Sequence, residues 1–247
     1  MNLYDILADH YGELFPLDPA RTAYVLETAS VPEPRILDLG CASGDLDFAL
    51  AERGARVEGV DLNERMIARA RMRLEKNPEL KGHLSFHTGD MTLFPRDFRM
   101  SGDGRFHGAV CFGNTLPHLR DLSAVEDFFR SVRGALLPGG SLTVQILNYD
   151  RILKTKPREL GLMETENLIF RRYYDFLPEG TIRFRAELTL LKEGITLGDS
   201  TLLYPLRRQD ITEAAGQGGF SRTAVFGNYA GDPAEPDSPV LLFRLEL

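Results

Sequence analysis

Apolar runs alternate with stretches of helical periodicity over residues 35–147. Residues 36–39 form a short apolar run, typical of a strand buried on both faces. Apolar side chains then recur at helical spacing over residues 46–50. The later apolar runs that we interpret as strands are residues 56–60, 84–88, 108–112 and 141–147. This alternation of strands and helices predicts a parallel α/β sheet.

The pattern changes over residues 166–206, where polar and apolar positions alternate with a period of two. Pro178-Glu179-Gly180 and Lys192-Glu193-Gly194 interrupt this alternation with turn residues. The three runs between them are Leu168–Phe176, Thr181–Leu191 and Ile195–Tyr204. We predict an antiparallel three-stranded meander inserted after the fifth strand. The sequence leaves open whether this insertion is a lid over a site or a subunit interface.

Two capping patterns predict the helices of the second half. Ser123 with Glu126 forms a capping box before an amphipathic stretch, which the turn at residues 137–140 ends. Asp210 with Glu213 predicts the start of the last helix. The two closing strands are predicted at residues 222–226 and 240–245.

Length and composition favour one domain. A chain of 247 residues with 43% hydrophobic content can bury a single large core. We therefore treat residues 1–247 as one domain, with residues 1–34 as an N-terminal helical cap segment.

Charge and cysteine content narrow the function classes. A net charge of −7 argues against a general nucleic-acid binder. No stretch resembles a signal peptide or approaches the roughly 20 apolar residues of a membrane span. Cys41 and Cys111 lack the spacing of a metal site or a disulfide framework. We expect a cytoplasmic protein that binds neither membrane nor metal.

The strongest chemical signal is the turn after the first strand. Asp38 precedes a turn with Gly40 and Gly44, and Asp61 follows about 20 residues later, at the end of the next strand. The dinucleotide fingerprint needs a middle glycine, and this chain has Ala42 there. The charge of Asp38 would oppose a pyrophosphate and favour an ammonium or a sulfonium. This favours S-adenosylmethionine (SAM) over a dinucleotide, with an ordinary glycine turn as the remaining alternative.

Together with Asp90 and the Leu-Pro-Gly-Gly run at residues 137–140, this order of motifs resembles class I SAM-dependent methyltransferases over nearly the full chain. The resemblance implies a Rossmann-like α/β fold. Its seven-stranded, mostly parallel sheet has helices on both faces and a final antiparallel hairpin. SAM would lie across the carboxyl ends of strands one, two and four.

The same resemblance implies residue roles in cofactor binding. Asp61 would hold the ribose, Gly40 and Asp38 would approach the methionine moiety, and Asp90 with Met91 would border the adenine. The other positions expected at the cofactor are Tyr11, Cys41, Gly44, Leu62, Phe112 and Gly113.

Residues 111–119 and 147–153 are similar to the corresponding stretches of glycine and sarcosine N-methyltransferases. In that family the asparagine at Asn114 contributes to the substrate pocket, and an arginine at the position of Leu147 binds the substrate carboxylate. Leucine cannot make that contact, so we expect a less acidic substrate unless Arg183 or Arg185 replaces the arginine. The candidate catalytic residues are Asn114, His118, Tyr149 and Tyr204.

The resulting hypothesis is SAM-dependent methyl transfer by in-line displacement to a small-molecule acceptor, with nitrogen as the acceptor atom. The missing arginine motivates an alternative, a catalytically silent SAM-binding subunit or sensor. A macromolecule methyltransferase and an NAD-linked oxidoreductase are further alternatives. The sequence does not indicate the oligomeric state.

Overall fold

The computed structural model describes residues 3–94 and 105–247. The helices of these residues are α1 (Leu3–Leu7), α2 (Tyr11–Leu14), α3 (Pro19–Ala29), α4 (Asp45–Ala51), α5 (Glu64–Glu75), α6 (Leu122–Ala135), α7 (Tyr149–Thr155) and α8 (Arg208–Gln217). Short 3-10 helices cover Pro78–Leu80 and Leu116–His118. The strands are β1 (Arg35–Leu39), β2 (Arg56–Asp61), β3 (Leu84–Thr88), β4 (Phe106–Cys111), β5 (Leu136–Leu147), β6 (Met163–Glu164), β7 (Leu168–Phe176), β8 (Ile182–Leu190), β9 (Ile195–Leu203), β10 (Arg222–Phe226) and β11 (Val240–Glu246).

The main sheet has seven strands in the order β10-β11-β5-β4-β1-β2-β3. β1 pairs in parallel with β2 on one side and with β4 on the other. β11 is antiparallel to both β5 and β10. This confirms the predicted mostly parallel sheet with its closing hairpin. The chain reverses its direction of travel across the sheet at β1, where open α/β sheets bind ligands.

Apolar side chains cover both faces of the main sheet. On one face, Phe128, Phe129 and Val132 of α6 are fully buried against β4, β5 and α8. On the other, helices α3, α4 and α5 bury Val25, Phe48 and their neighbours. Helices on both faces explain why the central strands read as continuous apolar runs.

A second, antiparallel sheet has the order β6-β7-β8-β9. The three predicted strands are confirmed, but the predicted number is wrong because β6 adds a fourth. β6 pairs Met163 with Phe170 and Glu164 with Ile169. A strand of two residues is too short for its alternation to be recognised in sequence.

Several element boundaries differ from the predictions. Helix α6 begins two residues earlier, because the Asp121 side chain accepts from the backbone N–H of Ala124 at 2.9 Å and takes the capping role predicted for Ser123. α8 begins at Arg208 rather than near Asp210. β5 begins at Leu136, which pairs with Phe106, so the predicted turn after α6 lies within a strand.

The N-terminal helices connect the main sheet to the second sheet. Asp5 on α1 accepts a hydrogen bond from Asn63 Nδ2 at 2.8 Å, and Asp9 pairs with Arg65 at 3.0 Å. Glu13 on α2 accepts from Asn167 Nδ2 at 3.3 Å, beside β7. Residues 3–15 are thus held on both sides. In the described part of the chain, no helix has the length and apolar character needed to cross a membrane.

Candidate functional site

A cavity of about 450 Å³ opens at the carboxyl ends of β1, β2 and β4. The main sheet supplies one side, α1 and α2 supply another, and β9 of the second sheet closes the third. The lining residues are Tyr4, Tyr11, Gly40, Ala42, Val60, Asp61, Leu62, Asn63, Met66, Gly89, Asp90, Met91, Gly113, Thr115, His118, Leu119, Asp199, Ser200 and Thr201. Its size is within the usual range for a small-molecule site. We refer to it as the groove.

The turn after β1 is fixed by backbone hydrogen bonds and by close packing. Gly40 has a φ of 89°, and its N–H donates to the Val60 carbonyl at 2.8 Å. A Cβ on Gly40 would lie 2.6 Å from Cγ2 of Thr115, so no other residue fits here. Ala42 also has a positive φ, 50°. The backbone therefore reaches the floor of the groove where a side chain would block it.

Asp61 lies at the carboxyl end of β2 and lines the groove. Its Oδ2 accepts from the Ala42 N–H at 2.9 Å, and its Oδ1 accepts from the Asn63 N–H at 2.8 Å. Burial raises the pKa of this carboxyl, and the two backbone hydrogen bonds oppose that rise. Each oxygen keeps one lone pair for a ligand. These acceptors suit two adjacent hydroxyl groups, such as those of a ribose.

Asp38 and Asp47 are buried together beneath the turn. Their exposures are 4% and 0%, and neither lines the groove. Burial, with a smaller contribution from the Asp61 charge, raises the pKa of Asp38 to about 7 against the opposing effects of Asp47 and Arg21. Burial also raises the pKa of Asp47 well above its usual value, with repulsion from Asp38 as the next cause. Asp47 was not predicted from sequence, where it is one more acidic residue in the first turn of a helix.

Arg21 on α3 is a basic residue near Asp38, and the sequence analysis missed it. Its guanidinium carbon lies 5.5 Å from the Phe112 ring and 5.7 Å from the Tyr229 ring. Its Nε is buried without a hydrogen-bond partner in the described residues. Its charge lowers the pKa of Asp38 against the larger effect of burial. Arg21 and Asp38 do not line the groove, so they could act on a ligand there only through their charges.

The groove lining also contains a tyrosine–histidine pair. The Tyr4 hydroxyl lies 2.9 Å from Nε2 of His118, and the two rings meet edge to face at 5.5 Å. Burial lowers the pKa of His118 to about 4, so its imidazole is neutral at pH 7. The same burial disfavours the protonated ring, so His118 is suited to orienting a ligand by a hydrogen bond rather than to acting as a strong base. Tyr4 was not predicted.

Asn114 and Tyr149 are hydrogen-bonded to each other and do not line the groove. Nδ2 of Asn114 donates to the Tyr149 hydroxyl at 3.0 Å, and Oδ1 of Asn114 accepts from the Leu147 N–H at 3.0 Å. Tyr149 is fully buried. Tyr204 lies at the end of β9, where its N–H donates to the Pro117 carbonyl at 2.8 Å. None of these three candidates lines the groove, and their catalytic roles stay predictions.

The charged groups of the groove wall have one sign. Among its described residues the acidic side chains are Asp61, Asp90 and Asp199, and there is no lysine or arginine. Neither arginine considered as a replacement for the family's residue reaches this wall. Arg185 pairs with Asp175 at 2.7 Å, and Arg183 is exposed. The groove thus suits cations and neutral groups better than carboxylates.

The structure separates the predicted site residues into two sets. Those that line the groove are Tyr11, Gly40, Asp61, Leu62, Asp90, Met91, Gly113 and His118. Those that lie behind the wall are Asp38, Cys41, Gly44, Phe112, Asn114, Tyr149 and Tyr204. Groups of three potential metal ligands are absent from the residues that the structure describes.

Comparisons with known proteins agree with this geometry. Residues 36–140 match the family described as a methyltransferase domain. The protein YqeM of Bacillus subtilis (strain 168), whose name describes it as a methyltransferase, is 30% identical over 169 residues, which are 68% of this chain and 65% of that protein. Glycine N-methyltransferase of Mus musculus is 32% identical over 128 residues, 49% of this chain and 43% of that enzyme.

The name of a third relative describes methyl transfer to oxygen. Ubiquinone biosynthesis O-methyltransferase of Pseudomonas aeruginosa (strain UCBPP-PA14) is 27% identical over 175 residues, 71% of this chain and 67% of that protein. The chain spans less than two thirds of the first two relatives' lengths.

A solved structure matches the fold along the whole chain. The CcbJ methyltransferase from Streptomyces caelestis superposes with a TM-score of 0.80, covering 99% of this chain and 95% of that one. The two sequences are 20% identical, so this similarity concerns the fold alone.

Proposed function

We propose that the chain is a class I SAM-dependent methyltransferase and that it transfers the methyl group of SAM to a nitrogen atom of a small-molecule acceptor; its similarity to a methyltransferase domain over residues 36–140 and to glycine N-methyltransferase supports this. The observation that carries the proposal is the acidity of the groove wall, which has Asp61, Asp90 and Asp199 and neither lysine nor arginine among its described residues. Such a wall favours a cationic cofactor and an amine acceptor. It disfavours an acceptor that carries a carboxylate.

The described residues fit SAM in three places. Asp61 offers two carboxylate oxygens to the ribose hydroxyls. Asp90, Met91 and Leu62 would border the adenine on the next part of the wall. At the turn, Asp38 and Arg21, which do not line the groove, would act on the ammonium and the carboxylate of the amino-acid end through their charges alone.

SAM, when bound, supplies a methyl group that its sulfonium already activates. The protein's own part is therefore to orient the acceptor and exclude water. An acceptor amine must arrive without its extra proton to offer a lone pair. His118 lines the groove, its pKa is lowered to about 4 by burial, and its contact with the Tyr4 hydroxyl fixes the orientation of its ring, so its part would be to position a neutral amine rather than to deprotonate it.

The test is the formation of S-adenosylhomocysteine from SAM with a panel of amines, amino acids, phenols and hydroxy acids, including glycine and sarcosine. We expect turnover with uncharged or cationic amines and little with glycine. A substrate-free reaction controls for slow hydrolysis. Turnover with phenols alone would move the acceptor atom to oxygen. SAM binding without turnover on any compound would contradict the proposal and favour a silent subunit or a macromolecular substrate.

A further inference from the structure

Asp199 is the charged residue that the second sheet contributes to the groove. Exposure alternates along β9, and Asp199 and Thr201 occupy the shielded positions between the exposed Gly198, Ser200 and Leu202. Asp199 therefore points inward, toward the groove that it lines. The residue paired with Asp199 on the neighbouring strand β8 is Ala186, whose small side chain leaves space beside the carboxylate.

The three carboxylates of the wall differ in their partners. Asp61 accepts two backbone hydrogen bonds, and Asp90 accepts from the Thr92 N–H at 2.8 Å. The Asp199 side chain makes no hydrogen bond and no ion pair within the described residues. It is partly exposed at the groove that it lines. Both oxygens of its carboxylate are therefore available to a ligand in the groove, and a cation is the ligand that a carboxylate binds most strongly.

We propose that Asp199 binds a protonated amino group of the acceptor, distinct from the nitrogen that is methylated. This rests on the proposed function and narrows its substrate class to compounds with two amino groups. An opposite charge stabilises the protonated form of an amine. An ammonium held by Asp199 therefore keeps its proton and has no lone pair to react. The reacting nitrogen must be the other one, on the side of His118.

A hydroxyl group is a weaker explanation than a cation. A hydroxyl could accept or donate at many neutral polar groups, whereas only an acidic side chain gives an ammonium a hydrogen bond between two opposite charges. Asp61 and Asp90 add their negative potential to the same groove, which raises the local concentration of cations. The missing lysine and arginine in the described wall argue against an anionic group at this position.

The experiment uses acceptors with one primary amine, one chain length and four different ends: ammonium, hydroxyl, methyl or carboxylate. Wild-type protein should show kcat/KM about tenfold or more higher for the ammonium-ended compound than for the methyl-ended one. Asp199→Asn keeps the shape and removes the charge. It should lower kcat/KM at least about tenfold for the ammonium-ended compound and change the methyl-ended one by less than about twofold.

Glu187→Gln is the matched control, because it removes the same charge from β8 on the opposite face of the sheet, beside Gly198. It should change none of these values. Calorimetric binding of the ammonium-ended compound to protein saturated with S-adenosylhomocysteine gives a second readout. Asp199→Asn should weaken that binding without changing the affinity for S-adenosylhomocysteine.

Several outcomes would overturn the inference. These are an equal loss for all four acceptors in Asp199→Asn, a wild-type preference for the hydroxyl end, or no binding of the ammonium-ended compound. If any of these outcomes is found and an amine is still methylated, the proposed function is supported and only the proposed role of Asp199 is refuted. No binding of SAM or S-adenosylhomocysteine to wild-type protein would instead refute the proposed function.

Discussion

Asp61 has two tasks that a single substitution can separate. Its carboxylate holds the N–H groups of Ala42 and Asn63, and it also offers the acceptors proposed for the ribose. Asp61→Asn keeps one acceptor oxygen for the turn but removes the charge, whereas Asp61→Ala removes both. We expect Asp61→Ala to weaken SAM binding at least about tenfold, because hydrogen bonds to charged groups contribute about 1.5–3 kcal/mol.

The measurement is a calorimetric titration with SAM, accompanied by a circular dichroism spectrum to verify folding. Asp127→Ala, at an exposed position of α6, removes the same charge far from the groove and should leave the affinity unchanged. Asp61→Asn should lie between the wild type and Asp61→Ala. Equal affinity of all four proteins would refute the ribose assignment.

The buried pair of Asp38 and Asp47 makes stability depend on pH. Burial raises the pKa of Asp38 from 3.8 to about 7, and it raises that of Asp47 in the same direction. In this interval the folded protein binds more protons than the unfolded chain does. The free energy of unfolding therefore falls as the pH rises from about 4 to about 8.

Asp47→Asn should flatten this dependence, because it removes one of the two acids and the repulsion between them. We expect the variant to gain about 1 kcal/mol relative to wild type at about pH 8, since one pKa unit corresponds to about 1.4 kcal/mol. Urea denaturation at several pH values measures this. A pH slope equal to that of wild type would show that the pair does not share the buried charge.

The sequence identified the site residues that lie next to a strand end and missed those that the fold brings there from elsewhere. Asp61 and Asp90 were recognisable because parallel strands present their carboxyl ends at one edge. Arg21 and Asp199 come from a helix and a strand that are distant in sequence from that edge. Their proximity to the groove depends on tertiary packing, which no local pattern encodes.

At the scale of elements, the centre of β2 shows how closely α4 packs on the sheet. A Cβ on Gly59 would lie 2.6 Å from Oδ1 of Asp47 and 2.8 Å from Cδ1 of Phe86. Backbone and helix can approach this closely only because position 59 lacks a side chain. Asp47 therefore owes its burial partly to a glycine on the neighbouring strand.

Gly59→Ala should lower the free energy of unfolding by about 1–3 kcal/mol, the usual cost of overpacking a core. Gly82→Ala is the control, because a Cβ there meets no atom within 4 Å. It should be close to neutral. Urea denaturation curves of the two variants and wild type provide the comparison. An equal effect of both substitutions would mean that the packing of α4 on β2 relaxes without cost.

The types of the elements were predictable because most elements are long enough for their hydrophobic period to be recognised. The residues at which the elements begin and end were not predictable in this way. Seven strands of the main sheet and three of the second follow from apolar runs and alternation. The caps depend on a choice between neighbouring side chains. Asp121 and Ser123 are both good N-cap residues, and only the direction from which the chain enters α6 decides between them.

At the scale of the whole molecule, two sheets and an N-terminal segment share one groove. The sequence predicted the second sheet but left its position open between a lid and a subunit interface. In the structure β9 forms part of the groove wall, and the Tyr204 N–H fixes its end to the Pro117 carbonyl. The residues that face the groove from β9 carry no motif, so substrate specificity was the least predictable property.

The charge of the whole molecule adds to that of the groove. The chain has a net charge of −7, and the described groove wall has aspartates and neither lysine nor arginine. The negative net charge together with the acidic groove should speed the encounter with cationic acceptors. Salt screens it, since the Debye length falls from about 30 Å at 0.01 M to about 3 Å at 1 M.

We therefore expect kcat/KM for a cationic acceptor to fall several-fold over this range of ionic strength, at saturating SAM. A hydroxyl-ended acceptor of the same length is the control, because it has no second charge for the potential to attract. Its kcat/KM should fall less, since only its amine is charged in solution. Parallel salt dependence for the two acceptors would mean that the groove potential acts on the reacting amine alone. The groove potential would then contribute nothing to the preference for an ammonium-ended acceptor over a hydroxyl-ended one.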